Sequence, residues 1–182
     1  MESFSGVIRN STIVDKLVFK NLQETIGGRV KLIITGSAPV SSEVLQFARA
    51  AFGCVVQQGY GMIDVRSKTF RQTECSCVIS LCIDADISDS NVGIPICCNA
   101  VKLVDVPELG YFEAQKAGEI CVRGANVFKG YFKDEAKTKS VIDDEGWLHT
   151  GDVGEWTEQG TLRIIGRITS IFKLSQVGRD TH

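Results

Sequence analysis

The stretch that most constrains the fold is VKLIITGSAPVSSEVLQFARAAFGCVVQQGYG, residues 30–61. VKLIIT, residues 30–35, is a short β-branched run of the kind that forms a buried strand. It ends in Gly36-Ser37-Ala38-Pro39. Ser41 or Ser42 can then cap a helix that runs through Phe52, with Val44, Leu45, Ala48, Ala51 and Phe52 on one face and Gly53 at its end. CVVQQ, residues 54–58, reads as the next strand and runs into Gly59-Tyr60-Gly61. Strand, helix and strand with short connections predict two adjacent parallel strands joined by a right-handed crossover. Both glycine-containing loops then lie at the carboxyl ends of neighbouring strands, the edge where open α/β sheets bind ligands.

The flanks agree with this unit. Residues 13–26, IVDKLVFKNLQETI, carry apolar side chains at 14, 17, 18, 22 and 26, a helical stripe that Gly27-Gly28 stops. After residue 95 the texture changes. AVKLVDV (100–106), GEICVRG (118–124), WLHTGDVGEW (147–156) and TLRIIGR (161–167) read as strands between Gly-rich turns, with one helical piece, DEAKTKSVI, at 134–142. The expected fold class is α/β: part of a parallel-sheet βαβ subdomain, then a small antiparallel β-barrel-like subdomain. The expected divisions are 1–95, with an insert at 62–71, then 96–165, then a hinge start and divergent tail at 166–182.

Several function classes are excluded early. With 182 residues and a net charge of −2, no basic surface for nucleic acid or anionic membrane is indicated. No apolar run approaches a membrane span, and MESFSGVIRNS has no apolar core for a secretory signal. The seven cysteines are odd in number and lack CxxC pairs; only two histidines exist, so reduced core thiols are favoured over disulfides or zinc.

The chemistry-bearing residues are Tyr60, Thr73-Glu74, the run Trp147-Leu148-His149-Thr150-Gly151-Asp152, and Arg167. Each alone is an ordinary packing or turn residue; their order and flanking glycines make a set. With NSTIVDKLVF, GGRVKLIITGSAPVS, CNAVKLVDV, GEICVRGANVFKGYFKD and DEGWLHTGDVGEWTEQGTLRII, that set resembles the adenylate-forming enzymes. More closely it resembles the animal long-chain fatty acid–CoA ligases, across roughly residues 12–176. The resemblance implies a partial chain of an enzyme that joins a fatty acid to ATP, releasing diphosphate, and then passes the acyl group from AMP to coenzyme A. ATP, Mg²⁺ and coenzyme A are the implied cofactors and co-substrates, a long-chain fatty acid the implied partner, and nucleic acid is not expected.

Roles implied by the resemblance are physically reasonable. Gly36, Ser37 and Ala38 lie along the adenine, where small residues let backbone approach the base. Tyr60, followed by Gly61, stacks on the ring. Thr73 hydrogen-bonds the α-phosphate or acyl carboxylate, and Glu74 holds Mg²⁺, a hard cation that prefers carboxylate oxygen. Asp152 accepts from both ribose hydroxyls, Arg167 reaches the ribose, and Lys173 serves the thioester-forming step. The family's location is the cytoplasmic side of the endoplasmic reticulum or the mitochondrial outer membrane. Membrane association is expected only through an upstream segment, so these residues themselves are expected to be soluble.

Three departures accompany the resemblance. The family's phosphate-grasping loop, rich in Ser, Thr and Gly and ending in Lys, has no counterpart in these residues, and the likeness stops just past the hinge. Gly166 stands where an Asp is expected, Thr169-Ser170 where relatives carry basic residues, and VGRDTH no longer follows the family. Met62–Arg71 separates Gly61 from Gln72-Thr73-Glu74, which would otherwise read GYGQTEC. Closing a flexible ten-residue loop costs about 2 kcal/mol plus a constant, which a domain stable by roughly 5–15 kcal/mol tolerates. Catalysis is less forgiving, because a displacement of about 1 Å costs roughly 100-fold in rate. The isolated 182 residues are therefore expected to be inactive, and the alternative reading is a non-catalytic nucleotide-binding or interaction module, or a decayed or mis-spliced copy.

Overall fold

The computed structural model describes residues 18–36, 40–61, 74–75, 78–83 and 91–177, with side chains through 174. The first described helix, α1 (Lys20–Thr25), precedes β1 (Leu32–Thr35). Helix α2 (Ser42–Phe52) begins at the Ser41 cap, whose hydroxyl accepts from the Val44 N–H at 3.4 Å. It leads into β2 (Val55–Tyr60), which pairs with β1 in parallel, Leu32 opposite Val55 and Thr35 opposite Gln58. The expected βαβ unit is therefore present, with its apolar centre at Leu45, Cys54 and Val56.

Two short strands extend that sheet. β3 (Ser80–Leu81) runs antiparallel to β2, Tyr60 opposite Ser80, and β4 (Ile94–Pro95) runs antiparallel to β3. β2 and β3 are tied where the Ile79 N–H donates to the Tyr60 carbonyl at 2.7 Å. The Met62–Arg71 insert, between β2 and β3 in sequence, lies outside the described residues.

The second sheet is antiparallel throughout, in the order β5 (Asn99–Val104), β6 (Ala117–Gly124), β7 (Leu148–Trp156), β8 (Leu162–Arg167). The expected antiparallel unit is there, as an open sheet and not a barrel. Among the described residues β5 and β8 are its two edges and do not pair. Helix α3 (Glu135–Val141) is capped by the Asp134 carboxylate, and α4 (Ile168–Val177) follows β8 directly. No described helix is long and apolar enough to cross a membrane.

One core fastens the two sheets together. Cys75, Ile79 and Val92, next to the short strands of the first sheet in sequence, pack with Leu103, Ile120, Val122, Leu148 and Leu162 of the second. Backbone bonds reinforce the seam: Val92 N–H to the Leu162 carbonyl (2.8 Å) and Leu162 N–H to the Gly93 carbonyl (2.7 Å). The side-chain amide of Asn99 donates to the carbonyls of Val78 and Ile79, both at 3.2 Å. This fixed seam is what holds residues at the end of β2 in register with residues on β7 and β8.

Candidate active site

The site begins with a fault in the second sheet. Cys121 of β6 faces His149 of β7, and Glu119 faces Val153. Between those pairs Ile120 alone opposes Thr150, Gly151 and Asp152, so β7 bulges there and re-aims its side chains. Gly151 makes the bulge possible with φ of +72°, in the left-handed region that other residues enter at a cost. Thr150 pins it: its buried hydroxyl donates to the Ile120 carbonyl at 2.8 Å and accepts from the Asp152 N–H at 3.1 Å. Glu119 pins it from the other strand, its Oε1 accepting from the Gly151 N–H at 3.0 Å.

The bulge delivers Asp152 to a meeting of three strands. The Tyr60 hydroxyl, from the end of β2, donates to Asp152 Oδ2 at 2.7 Å. Arg167, directly opposite on β8, donates from Nε to Oδ1 at 3.2 Å. Asp152 is buried while Arg167 is half exposed, so the pair presents a carboxylate held from below and a guanidinium reaching solvent. Burial pushes the Asp152 carboxyl above its ordinary range, outweighing the Tyr60 hydrogen bond and the Arg167 charge. Burial first, and the Asp152 charge second, push the Tyr60 phenol well above its own.

Gly36 lies at the end of β1, alongside Gly59 of β2. A Cβ there would stand 2.8 Å from the Gly59 carbonyl oxygen, so the close approach of β1 and β2 already requires glycine at this position. Gly61 follows Tyr60 at the strand end. Ser37 and Ala38 lie outside the described residues, as does Thr73.

Glu74 stands in a second cluster. Its side chain is buried, and Oε1 accepts from the Tyr131 hydroxyl at 2.9 Å. Its backbone carbonyl accepts from the Phe128 N–H at 2.8 Å. Tyr131 is fixed in turn by an edge-to-face contact with Phe128 (5.0 Å between centroids), by the Lys137 ammonium 4.3 Å over its ring, and by its N–H donating to Thr138 Oγ1. Burial and the Glu74 carboxylate push the Tyr131 phenol up to about 12, so it remains a donor at neutral pH. A carboxylate offers about four acceptor positions, so the Tyr131 bond does not by itself exclude a hard cation on the same group.

Of the residues expected from sequence, the structure joins Tyr60, Asp152 and Arg167 into one hydrogen-bonded group and sets Glu74 against Tyr131. Lys173 is exposed on α4, beyond Arg167, and is not part of either group. Sequence reasoning placed Thr150 in the chemistry-bearing run without giving it a role, and it missed Glu119 and Tyr131. The HTGD and GYF phrases contain Thr150 and Tyr131, but only the bulge and the Glu74 contact reveal what they do.

The AMP-binding enzyme family model matches residues 10–132. Long-chain-fatty-acid–CoA ligase 1 of Cavia porcellus is 51% identical over 172 residues, covering 94% of this chain and 23% of that protein. Long-chain-fatty-acid–CoA ligase 6 of Homo sapiens is also 51% identical over 172 residues, with the same coverage. Long chain acyl-CoA synthetase 7, peroxisomal, of Arabidopsis thaliana is 48% identical over 169 residues, covering 91% of this chain and 23% of that protein. The chain thus spans about a quarter of the length of the curated relatives it matches. Among solved structures, the A domain of carboxylic acid reductase from Segniliparus rugosus, in complex with AMP and a co-purified carboxylic acid, superposes with a TM-score of 0.62 at 27% identity. That match covers 88% of this chain and 23% of that one. ATP-bound MatB from Rhodopseudomonas palustris gives a TM-score of 0.59 at 32% identity, over 75% of this chain and 25% of that one.

Proposed function

The chain belongs to the AMP-binding enzyme family, and on that premise we propose that it forms the nucleoside- and metal-binding part of an ATP-dependent long-chain fatty acid–CoA ligase. The observation that carries this reading is the Asp152 carboxylate held by Tyr60 and Arg167, three strands converging on one group. Asp152 accepts from the vicinal ribose hydroxyls, using lone pairs beyond those that Tyr60 and Arg167 occupy. The Tyr60 ring, locked by its own hydroxyl, offers its face to adenine. Arg167 reaches the ribose from the solvent side. Gly36, Ser37, Ala38 and Gly61 leave room for the base to approach backbone.

Thr73 orients the α-phosphate or the acyl carboxylate, and Glu74, steadied by Tyr131, holds Mg²⁺. When bound, that ion neutralises charge developing on the phosphates. Lys173 acts in the thioester-forming step, in an arrangement where α4 has moved toward the site. Coenzyme A accepts the acyl group, and a long-chain fatty acid donates it. Membrane association, and a place at the endoplasmic reticulum or mitochondrial outer membrane, belong to the longer protein on this reading.

Met62–Arg71 favours a second reading, a nucleotide-binding module without catalysis, because it separates Tyr60 from Thr73 and Glu74 along the chain. A chimera separates the two. Residues 18–174 replace the matching segment of the human ligase 6, with and without residues 62–71, and acyl-CoA formation from palmitate is assayed. The ligase reading expects activity without the insert, lost again on Asp152→Ala, and a large drop when the insert is kept. A chimera lacking the insert that binds ATP but forms no acyl-CoA overturns it in favour of the binding module.

A further inference from the structure

We propose that Glu119, Cys121 and His149 form a binding site for a divalent transition-metal ion of the zinc type, separate from the Glu74 position. Glu119 and Cys121 are two apart on β6, so they share a face of the strand, and His149 is the cross-strand partner of Cys121 on β7. Glu119 Oε2 lies 2.9 Å from His149 Nδ1, and Cys121 Sγ lies 3.4 Å from the same nitrogen. One ligand atom from each residue falls within 4.8 Å of the other two. A tetrahedral zinc ion with bonds of about 2.0 Å to nitrogen and oxygen and about 2.3 Å to sulfur sets its ligands roughly 3.3–3.6 Å apart. Adjustments of less than about 1.5 Å therefore close the trio around an ion, leaving a fourth position for water.

The chemistry of the donors selects the metal. A thiolate, an imidazole and a carboxylate suit zinc or cobalt, whereas Mg²⁺ and Ca²⁺ require all-oxygen cages. Charge closes as well: one thiolate and one carboxylate neutralise a dication beside a neutral imidazole. The other ring nitrogen, Nε2, faces Asp143 Oδ2 at 3.7 Å, so a proton on Nε2 points at a carboxylate while Nδ1 takes the ion. A carboxylate near the free ring nitrogen favours the tautomer that leaves Nδ1 to the ion, although at 3.7 Å it makes no hydrogen bond. The neighbouring cation, Lys102, lies 3.9 Å from both Asp143 and Glu145, at the rim. Cys121 is buried, but His149 and Asp143 are each about a third exposed (32% and 30%), which gives an ion a way in.

Binding forms a sulfur–metal bond and expels the Cys121 thiol proton to solvent. The ligating form is the thiolate, so the ion displaces a proton and affinity rises with pH, by up to about tenfold per unit. The test is a cobalt(II) titration of the whole chain in a Cys97→Ser, Cys98→Ser background, which removes the two thiols that are exposed among the described residues. The expected result is a saturable thiolate-to-cobalt absorption band at one equivalent, with about one proton released per ion and no displacement by excess Mg²⁺. Cys121→Ser abolishes the band. His149→Gln and Glu119→Gln weaken binding at least tenfold, and the glutamine keeps the Oε1 acceptor for the Gly151 N–H, so loss of the fold is not the cause. Circular dichroism confirms that each variant is folded. A band unchanged in Cys121→Ser, or unchanged in both His149→Gln and Glu119→Gln, overturns the site, as does the lack of saturable binding below millimolar cobalt.

Discussion

Thr150→Val tests whether the β7 bulge is held by one hydroxyl. Valine has the shape of threonine but no hydroxyl, so the substitution strips the Ile120 carbonyl of its 2.8 Å donor and the Asp152 N–H of its 3.1 Å acceptor. Thr150 is 6% exposed, so water does not replace either bond. Each buried group left unpaired costs about 1–3 kcal/mol, giving roughly 3 kcal/mol for the two together. Thr150→Ser keeps both bonds and loses one methyl, worth about 1 kcal/mol. With a urea slope of about 2 kcal/mol/M, the midpoint should fall by about 1.5 M for valine and about 0.5 M for serine. Urea unfolding followed by tryptophan fluorescence measures both. A valine variant as stable as the serine variant would refute the claim that this hydroxyl organises the turn presenting Asp152.

Other expectations use the same region. Gly151→Ala should cost about 1–2 kcal/mol from its left-handed backbone alone, since nothing lies within 4 Å of the added carbon; a change below a few tenths of a kilocalorie in urea unfolding would count against the assigned turn. Burial holds the Asp152 carboxyl above its ordinary range, so folding favours its protonated form. That contribution is fully present below the unfolded carboxyl value of about 3.9 and is lost as pH rises through the folded value, so the charged group opposes folding at pH 7. Asp152→Asn should therefore unfold at higher urea than the parent at pH 7, with the gap narrowing at pH 4; equal midpoints at both pH values would contradict it. Brief alkylation at pH 8 with peptide mapping should label the exposed Cys97 and Cys98 and spare Cys75 and Cys121, both thiols raised to about 12, until denaturant is added.

The βαβ unit was legible because its signals are local. Ser41 and Gly53 bracket one helix, and two β-branched runs flank it. Tyr60, Asp152 and Arg167 were legible only as members of a known set; nothing in their spacing says that they touch. Their meeting depends on the seam at Val92, Gly93 and Leu162, which aligns one sheet with the other through long-range backbone bonds. The role of Thr150, and Glu119 altogether, were illegible for a related reason. A bulge that sets three residues of β7 against one of β6 breaks the alternation from which sequence reading assigns faces. That the antiparallel unit is an open sheet was not readable, since alternating strands and glycine turns look the same in open and closed sheets. Tyr131 is local to its helix cap, yet its hydroxyl is defined by Glu74, 57 positions earlier in the chain.

The central claim is that Asp152, braced by Tyr60 and Arg167, holds the ribose of a bound nucleotide. Calorimetric titration of the chain with ATP and Mg²⁺, in parallel with Asp152→Ala, tests it most directly. The account predicts saturable heat for the parent chain and its loss in the variant, with circular dichroism unchanged. Equal heats from the two proteins, or none from the folded parent, would contradict it.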